Sequence, residues 1–183
     1  MSANSHQVGG SHYSSTYQHW DLTQDIGLSY MMGCITKYVT RFNRKNGIED
    51  LTKAIHFCEK QLEIINLNTA SDPINQPSGV FHAVNLPNQL ELYTEEYRTL
   101  KVGNFLEATF PNSMTCEKES LASLIFSILC IPYIKDIDND TDFEEEIENA
   151  LFLSIPKLTE LIELLKKEAN RGSEPTSAYV NQG

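Results

Sequence analysis

Lys37, Arg41, Arg44 and Lys45 are spaced so that one helix would carry all four on a single side. With Lys37 at zero on a helical wheel, Arg41 falls at ~40°, Arg44 at ~-20° and Lys45 at ~80°. Met31, Ile35, Val39 and Phe42 fall between ~120° and ~200°, which separates an apolar side from the cationic one. Gly33, four residues before Lys37, lies beside the cations and leaves the surface there without a side chain. A guanidinium grips planar phosphate oxygens with two parallel donors, and an ammonium acts as a mobile point charge. The chemistry expected of this face is anion binding, with Lys37, Arg41 and Lys45 on phosphate oxygens. The competing reading is a hairpin whose charges are merely solvated, the default for surface helices.

The elements that must position these cations are two helices within Leu28 to Glu63. Asn46 has the form of an N-cap for the second helix, with Glu49 placed to reach back to it. Leu51, Ile55, Cys58, Leu62 and Ile65 repeat at helical spacing and form its buried stripe. Asp50, Lys53 and Phe57 lie on another side, where Asp50 and Lys53 are expected to support or extend the basic face. Upstream, Gly9 and Gly10 permit a tight backbone path whose N–H groups could meet an anion. His12 could donate to a phosphate or move a proton, or anchor this leader to the hairpin. A short helical turn is expected within Tyr17 to Gly27. Trp20 could stack on a base, although core packing is the better expectation for so large a ring. Asp21 is expected to cap a turn, with orienting His12 or receiving a sugar hydroxyl as the alternatives.

His12-Tyr13, Trp20-Asp21, the run Gly33, Lys37, Tyr38, Val39, Arg41, and the segment from Lys45 to Ala54 occur in this order. Across about residues 8 to 66 this string resembles a small phage family built on a domain of unknown function. One branch of that family is the early-phage nucleotide kinase, which phosphorylates deoxynucleoside monophosphates without a Walker motif. The resemblance implies nucleotide as ligand or substrate. It implies His12, Lys37 and Arg41 as the catalytic set, with Tyr13, Trp20, Asp21, Gly33, Tyr38, Lys45, Asp50 and Lys53 around the ligand. His12 and Tyr13 would close over it. No carboxylate cluster stands beside the basic face, so the sequence specifies no metal ligand and leaves magnesium open. One hairpin offers only an open surface, so the pocket is expected to be completed in a homo-oligomer. The alternative, from a different class, is a non-enzymatic phage factor that binds a host protein or sequesters a signalling nucleotide.

Charge divides the chain. Residues 1–70 carry six Lys/Arg against six Asp/Glu, and residues 71–183 carry eight against nineteen, which accounts for the net charge of -11. An acidic second half disfavours nonspecific nucleic-acid binding, which needs cations to displace counterions, and suits a protein partner. No apolar run is long enough to span a membrane, and the polar start lacks the pattern of a signal peptide. Cys34, Cys58, Cys116 and Cys130 show no paired spacing and read as thiols in a reducing cytoplasm, here that of the host. No Gly-x-x-x-x-Gly-Lys, G-x-S-x-G or H-E-x-x-H string occurs.

The fold expected is mainly α. Residues 1–70 form the hairpin domain, 71–89 a linker, 90–171 an acidic region of three to four helices and 172–183 a disordered tail. Val80 to Val84 could form one short strand, and His82 within the linker has no partner at ligand spacing. Leu90, Tyr93, Tyr97 and Leu100 fit one helix face. Ser120 to Ile131 reads as a buried helix stopped by Pro132. A further helix is expected after Asp142, divided or kinked at Pro156, with Ser154 capping a fresh start. Leu158, Leu161, Ile162 and Leu165 give it a stripe suited to a partner. Asp136, Asp138, Asp140 and Asp142 alternate but lack the Gly and Glu of a calcium loop, and read as an acidic lead-in.

Overall fold

The computed structural model describes residues 17–70, 94–134 and 143–172, and every regular element among them is helical. Helix α1 spans His19–Ile26, with Asp21 at its third position accepting from the Gln18 backbone N–H at 2.7 Å. This closes the helix start from inside: Asp21 caps the turn it already belongs to, at the third position with Gln18 as N-cap, rather than starting the turn that follows it. α1 ends at Gly27, whose φ of 71° is the left-handed conformation that glycine adopts without Cβ strain. Helix α2, Tyr30–Arg41, starts on Ser29, whose hydroxyl accepts from the Met32 N–H at 3.3 Å. A 3-10 turn over Phe42–Arg44 and a left-handed Gly47 (φ 53°) lead into α3, Ile48–Ala70. The expected Asn46–Glu49 box does not form. Asn46 lies two residues ahead of the first helical residue, Ile48, and the Glu49 carboxylate turns along α3 to Lys53.

The second half supplies α4 (Glu95–Thr109), α5 (Glu117–Ile134) and α6 (Phe143–Gly172). The hairpin of α2 and α3 packs on α5 and α6, while α1 bridges from α2 to α4. Buried side chains from both halves merge into one core, from Leu22, Ile35, Val39 and Leu51 to Phe126, Leu129, Leu151 and Leu161. No helix among the described residues is long and apolar enough to cross a membrane.

Several expectations change here. Trp20 is 51% exposed rather than in the core, because Leu22 and Ile26 set the inward side of α1 and Trp20 points away from it. The inward face of α4 is Arg98, Val102 and Phe105; Tyr97 is half-buried, and Leu100 is exposed. Pro132 does not stop α5, which runs on to Ile134. Only one backbone hydrogen bond is forfeited near the helix end. The buried Arg98 guanidinium then takes up the Ile134 carbonyl from Nε (3.1 Å) and Nη2 (2.9 Å). Pro156 does not divide α6 either. It sits on the exposed side, where water can reach the carbonyl left without a donor. Ser154 is fully buried and its hydroxyl donates to Ala150 O at 2.7 Å, so it caps nothing.

The stripe of Leu158, Leu161 and Ile162 is buried within this same chain, with Leu165 half-buried beside it. It therefore demands no second subunit to cover it. The strand expected at 80–84, His82, the acidic run 136–142 and the tail from 173 lie outside the described residues.

Candidate functional site

The antiparallel packing of α2 on α3 brings five of the sequence-nominated residues together: Lys37, Tyr38, Arg41, Asp50 and Lys53. Arg41 ends α2 and Asp50 begins α3, so the intervening turn folds them face to face. Arg41 Nε donates to Asp50 Oδ2 at 3.0 Å and Nη2 to Oδ1 at 2.9 Å. The Asp50 side chain is 0% exposed and that of Arg41 12%. A two-pronged ion pair at this depth fixes the guanidinium plane and orients its remaining donors. Arg41 is thus part of the fold as well as of the basic face, and Asp50 supports that face as expected.

Tyr38, half-buried, gathers the cations. Its ring centroid lies 4.7 Å from the Arg41 guanidinium carbon and 5.2 Å from Lys37 Nζ. The Phe57 ring from α3 stands 5.7 Å away, tilted by 36°. The negative ring face offsets part of the repulsion between two like charges held this close. Lys53 pairs with Glu49, and that hydrogen bond, with the nearby Asp50 and Tyr38, holds its proton more tightly than usual.

The other nominated residues lie elsewhere. Arg44 turns toward the end of α4, where Nη2 donates to Thr109 O at 3.3 Å. Lys45 is exposed in the turn. Gly33 is not a gap among the cations. A Cβ there would meet Thr23 Cγ2 at 3.5 Å, so this glycine belongs to the contact between α2 and α1. Trp20 faces outward on α1, and Asp21 closes the start of that helix. His12 and Tyr13 lie outside the described residues.

Lys37 differs from its neighbours Arg41 and Lys53 on this face. Arg41, Lys53, Lys60, Lys101, Lys118 and Lys166 each have a carboxylate partner. Lys37 is half-buried, and among the described residues it forms no ion pair.

Sequence reasoning missed His19, which lies behind this face in the seam between α1 and α2. Its Nε2 is 2.9 Å from Thr36 Oγ1. Desolvation, reinforced by the Lys37 charge, pushes its pKa down to about 4. The signal was available, since His19 falls on the same side of α1 as Leu22 and Ile26. The thiols take no part: Cys34, Cys58 and Cys130 are buried, Cys116 is half-buried and all are free. Burial raises the Cys58 pKa to about 12 and that of Cys130 further. Among the described residues no three His, Cys, Asp or Glu side chains converge to hold a metal ion.

The class these features define is an all-α bundle with a cation-and-aromatic face on one hairpin. A family model described as a protein of unknown function, DUF3310, matches residues 9–59, which takes in α1, α2 and the first half of α3. The whole of the site lies inside the matched segment. No curated protein and no solved structure matches the chain.

Proposed function

We propose that the face formed by Lys37, Tyr38, Arg41 and Lys53 binds the phosphates of a nucleotide. The observation that carries this reading is the grouping of Lys37 and Arg41 on one Tyr38 ring, with the arginine oriented by Asp50 and no carboxylate on Lys37 among the described residues. A phosphate accepting from Lys37, beside the Arg41 guanidinium, would neutralise a charge that has no carboxylate partner among the described residues. Tyr38 and Phe57 keep the cations assembled and supply an apolar wall beside them. The resemblance seen in the sequence carries the reading further, to a phage-encoded nucleoside-monophosphate kinase. There a phosphate oxygen of the monophosphate attacks the terminal phosphorus of a donor triphosphate, and two diphosphates result. Positioning and charge neutralisation carry most of such a transfer, which is what this face offers. His12 and Tyr13, within the matched segment, would complete the site.

The test is calorimetric titration of each deoxynucleoside monophosphate into wild type, Lys37→Met and Lys157→Met, the last as a control of equal charge change. Lys37→Met should lose ~1.5–3 kcal/mol of binding, the range for a charged hydrogen bond. Equal affinity in all three proteins would refute the site. Incubation with a triphosphate donor then separates the activities: diphosphate formation supports the kinase, and binding without turnover supports sequestration of a nucleotide.

A further inference from the structure

Behind the basic face, the polar atoms of the α1–α2 seam favour one arrangement of protons. The Thr36 hydroxyl has one hydrogen, and its oxygen lies 2.8 Å from Met32 O and 3.3 Å from Gly33 O. That hydrogen is spent on the carbonyls of its own helix, so the contact with His19 Nε2 at 2.9 Å is one in which the imidazole donates. The Thr23 hydroxyl likewise donates to the His19 carbonyl at 2.9 Å, and it stands 3.4 Å from His19 Nδ1. This network assigns neutral His19 the Nε2–H tautomer, with Nδ1 as the basic nitrogen. On the remaining side Phe105 of α4 meets the ring edge-on, with centroids 6.1 Å apart. Lys37 from α2 is the charged group whose field reaches the imidazole.

We infer that His19 is a positioning residue of the anion site, and that an anion binding at Lys37 brings a proton to His19 Nδ1. The inference rests on the phosphate-binding reading above. The positioning part follows from Thr36, the residue directly before Lys37. Its hydroxyl ties the rotation of α2 to α1, and that rotation sets where the Lys37 stem leaves the helix. The proton part follows from charge. With no carboxylate on Lys37 among the described residues, a second cation in the seam is opposed by like-charge repulsion and by burial. An anion on Lys37 removes the first of these, and the proton, taken from solvent, has a vacant lone pair at Nδ1 to occupy.

The probe is sulfate, a dianion whose own protonation does not change between pH 5 and 7. Sodium sulfate is titrated into the full chain at pH 7, 6 and 5, following the Lys37 and Tyr38 amides by NMR at matched ionic strength. If sulfate raises the His19 pKa from about 4 by about one unit, wild type binds sulfate about twofold more tightly at pH 5 than at pH 7. His19→Gln keeps a donor for Thr36 but cannot titrate, so it should bind with no such slope. An equal slope in His19→Gln would overturn the inference and leave the site standing. No sulfate binding at Lys37 at any pH would remove the site and this inference with it. If His19→Gln does not fold, the ring nitrogens of wild type decide. An Nδ1–H tautomer, or a His19 titration unmoved by bound sulfate, overturns the inference.

Discussion

Replacing Arg41 by alanine should destabilise the protein far more than removing an ordinary surface cation. Asp50 has no exposed side-chain area, and both its oxygens accept from Arg41. Without the guanidinium a carboxylate remains in the interior with its ion-pair partner gone, an outcome that costs ~3–5 kcal/mol. Small domains hold only ~5–15 kcal/mol in total, so a large share of the stability is at stake. At ~2–4 °C per kcal/mol for a chain of this size, the midpoint should fall by ~6–20 °C. The reverse change, Asp50→Ala, should be milder, because Arg41 keeps 12% of its side chain in water and has the Tyr38 ring beneath it. Urea unfolding followed by circular dichroism measures both. The double variant Arg41→Met/Asp50→Leu should recover much of the loss, since apolar groups of similar size leave nothing uncompensated. The reasoning fails if Arg41→Ala costs less than ~1 kcal/mol. It also fails if the double variant is no more stable than Arg41→Ala alone.

His19 predicts an acid limb to stability. Its folded pKa of about 4 lies below the ordinary 6.5, so the folded state binds fewer protons. Stability is then complete above pH 6.5 and falls as pH drops toward 4, by at most roughly 3 kcal/mol. The difference between wild type and His19→Gln in chemical denaturation across that window isolates it, and no difference refutes it. Arg98→Met should cost ~2–4 kcal/mol by leaving the Ile134 carbonyl unsatisfied at the end of α5, with amide exchange fastest in the last turn of that helix. A maleimide added to the native protein should label Cys116 before Cys58 and Cys130, whose thiols burial keeps protonated; equal rates would contradict their placement.

The hairpin was legible because its periodicity is strong. Ile35, Val39, Phe42, Leu51, Cys58 and Ile65 are buried as the wheel placed them, and the mainly helical class follows from the same pattern. The grouping of Lys37, Arg41, Asp50 and Lys53 was legible for the same reason, since a short turn must bring the two helix ends together. Depth was not legible. A wheel gives direction but not what packs on top, so Arg41 read as a surface cation when Asp50 sinks it into the fold. Gly33 was given to the cations because nothing in its own helix shows that α1 lies across it. Both prolines read as breaks because the sequence does not show that Arg98 would take the carbonyl at the end of α5 or that the Pro156 side of α6 is solvated. Trp20 was assigned by residue type, whereas its two-residue offset from Leu22 placed it outside.

The packing of α3 against α6 has a consequence for synthesis. α3 ends at Ala70, while the side chains of α6 that complete the core run to Ile162. At ~5–20 residues per second, about a hundred further residues take ~5–20 s to emerge. Throughout that interval the matched segment, with its basic face, is outside the ribosome while its apolar underside is uncovered. The hairpin would then be the stretch of the nascent chain most in need of a chaperone.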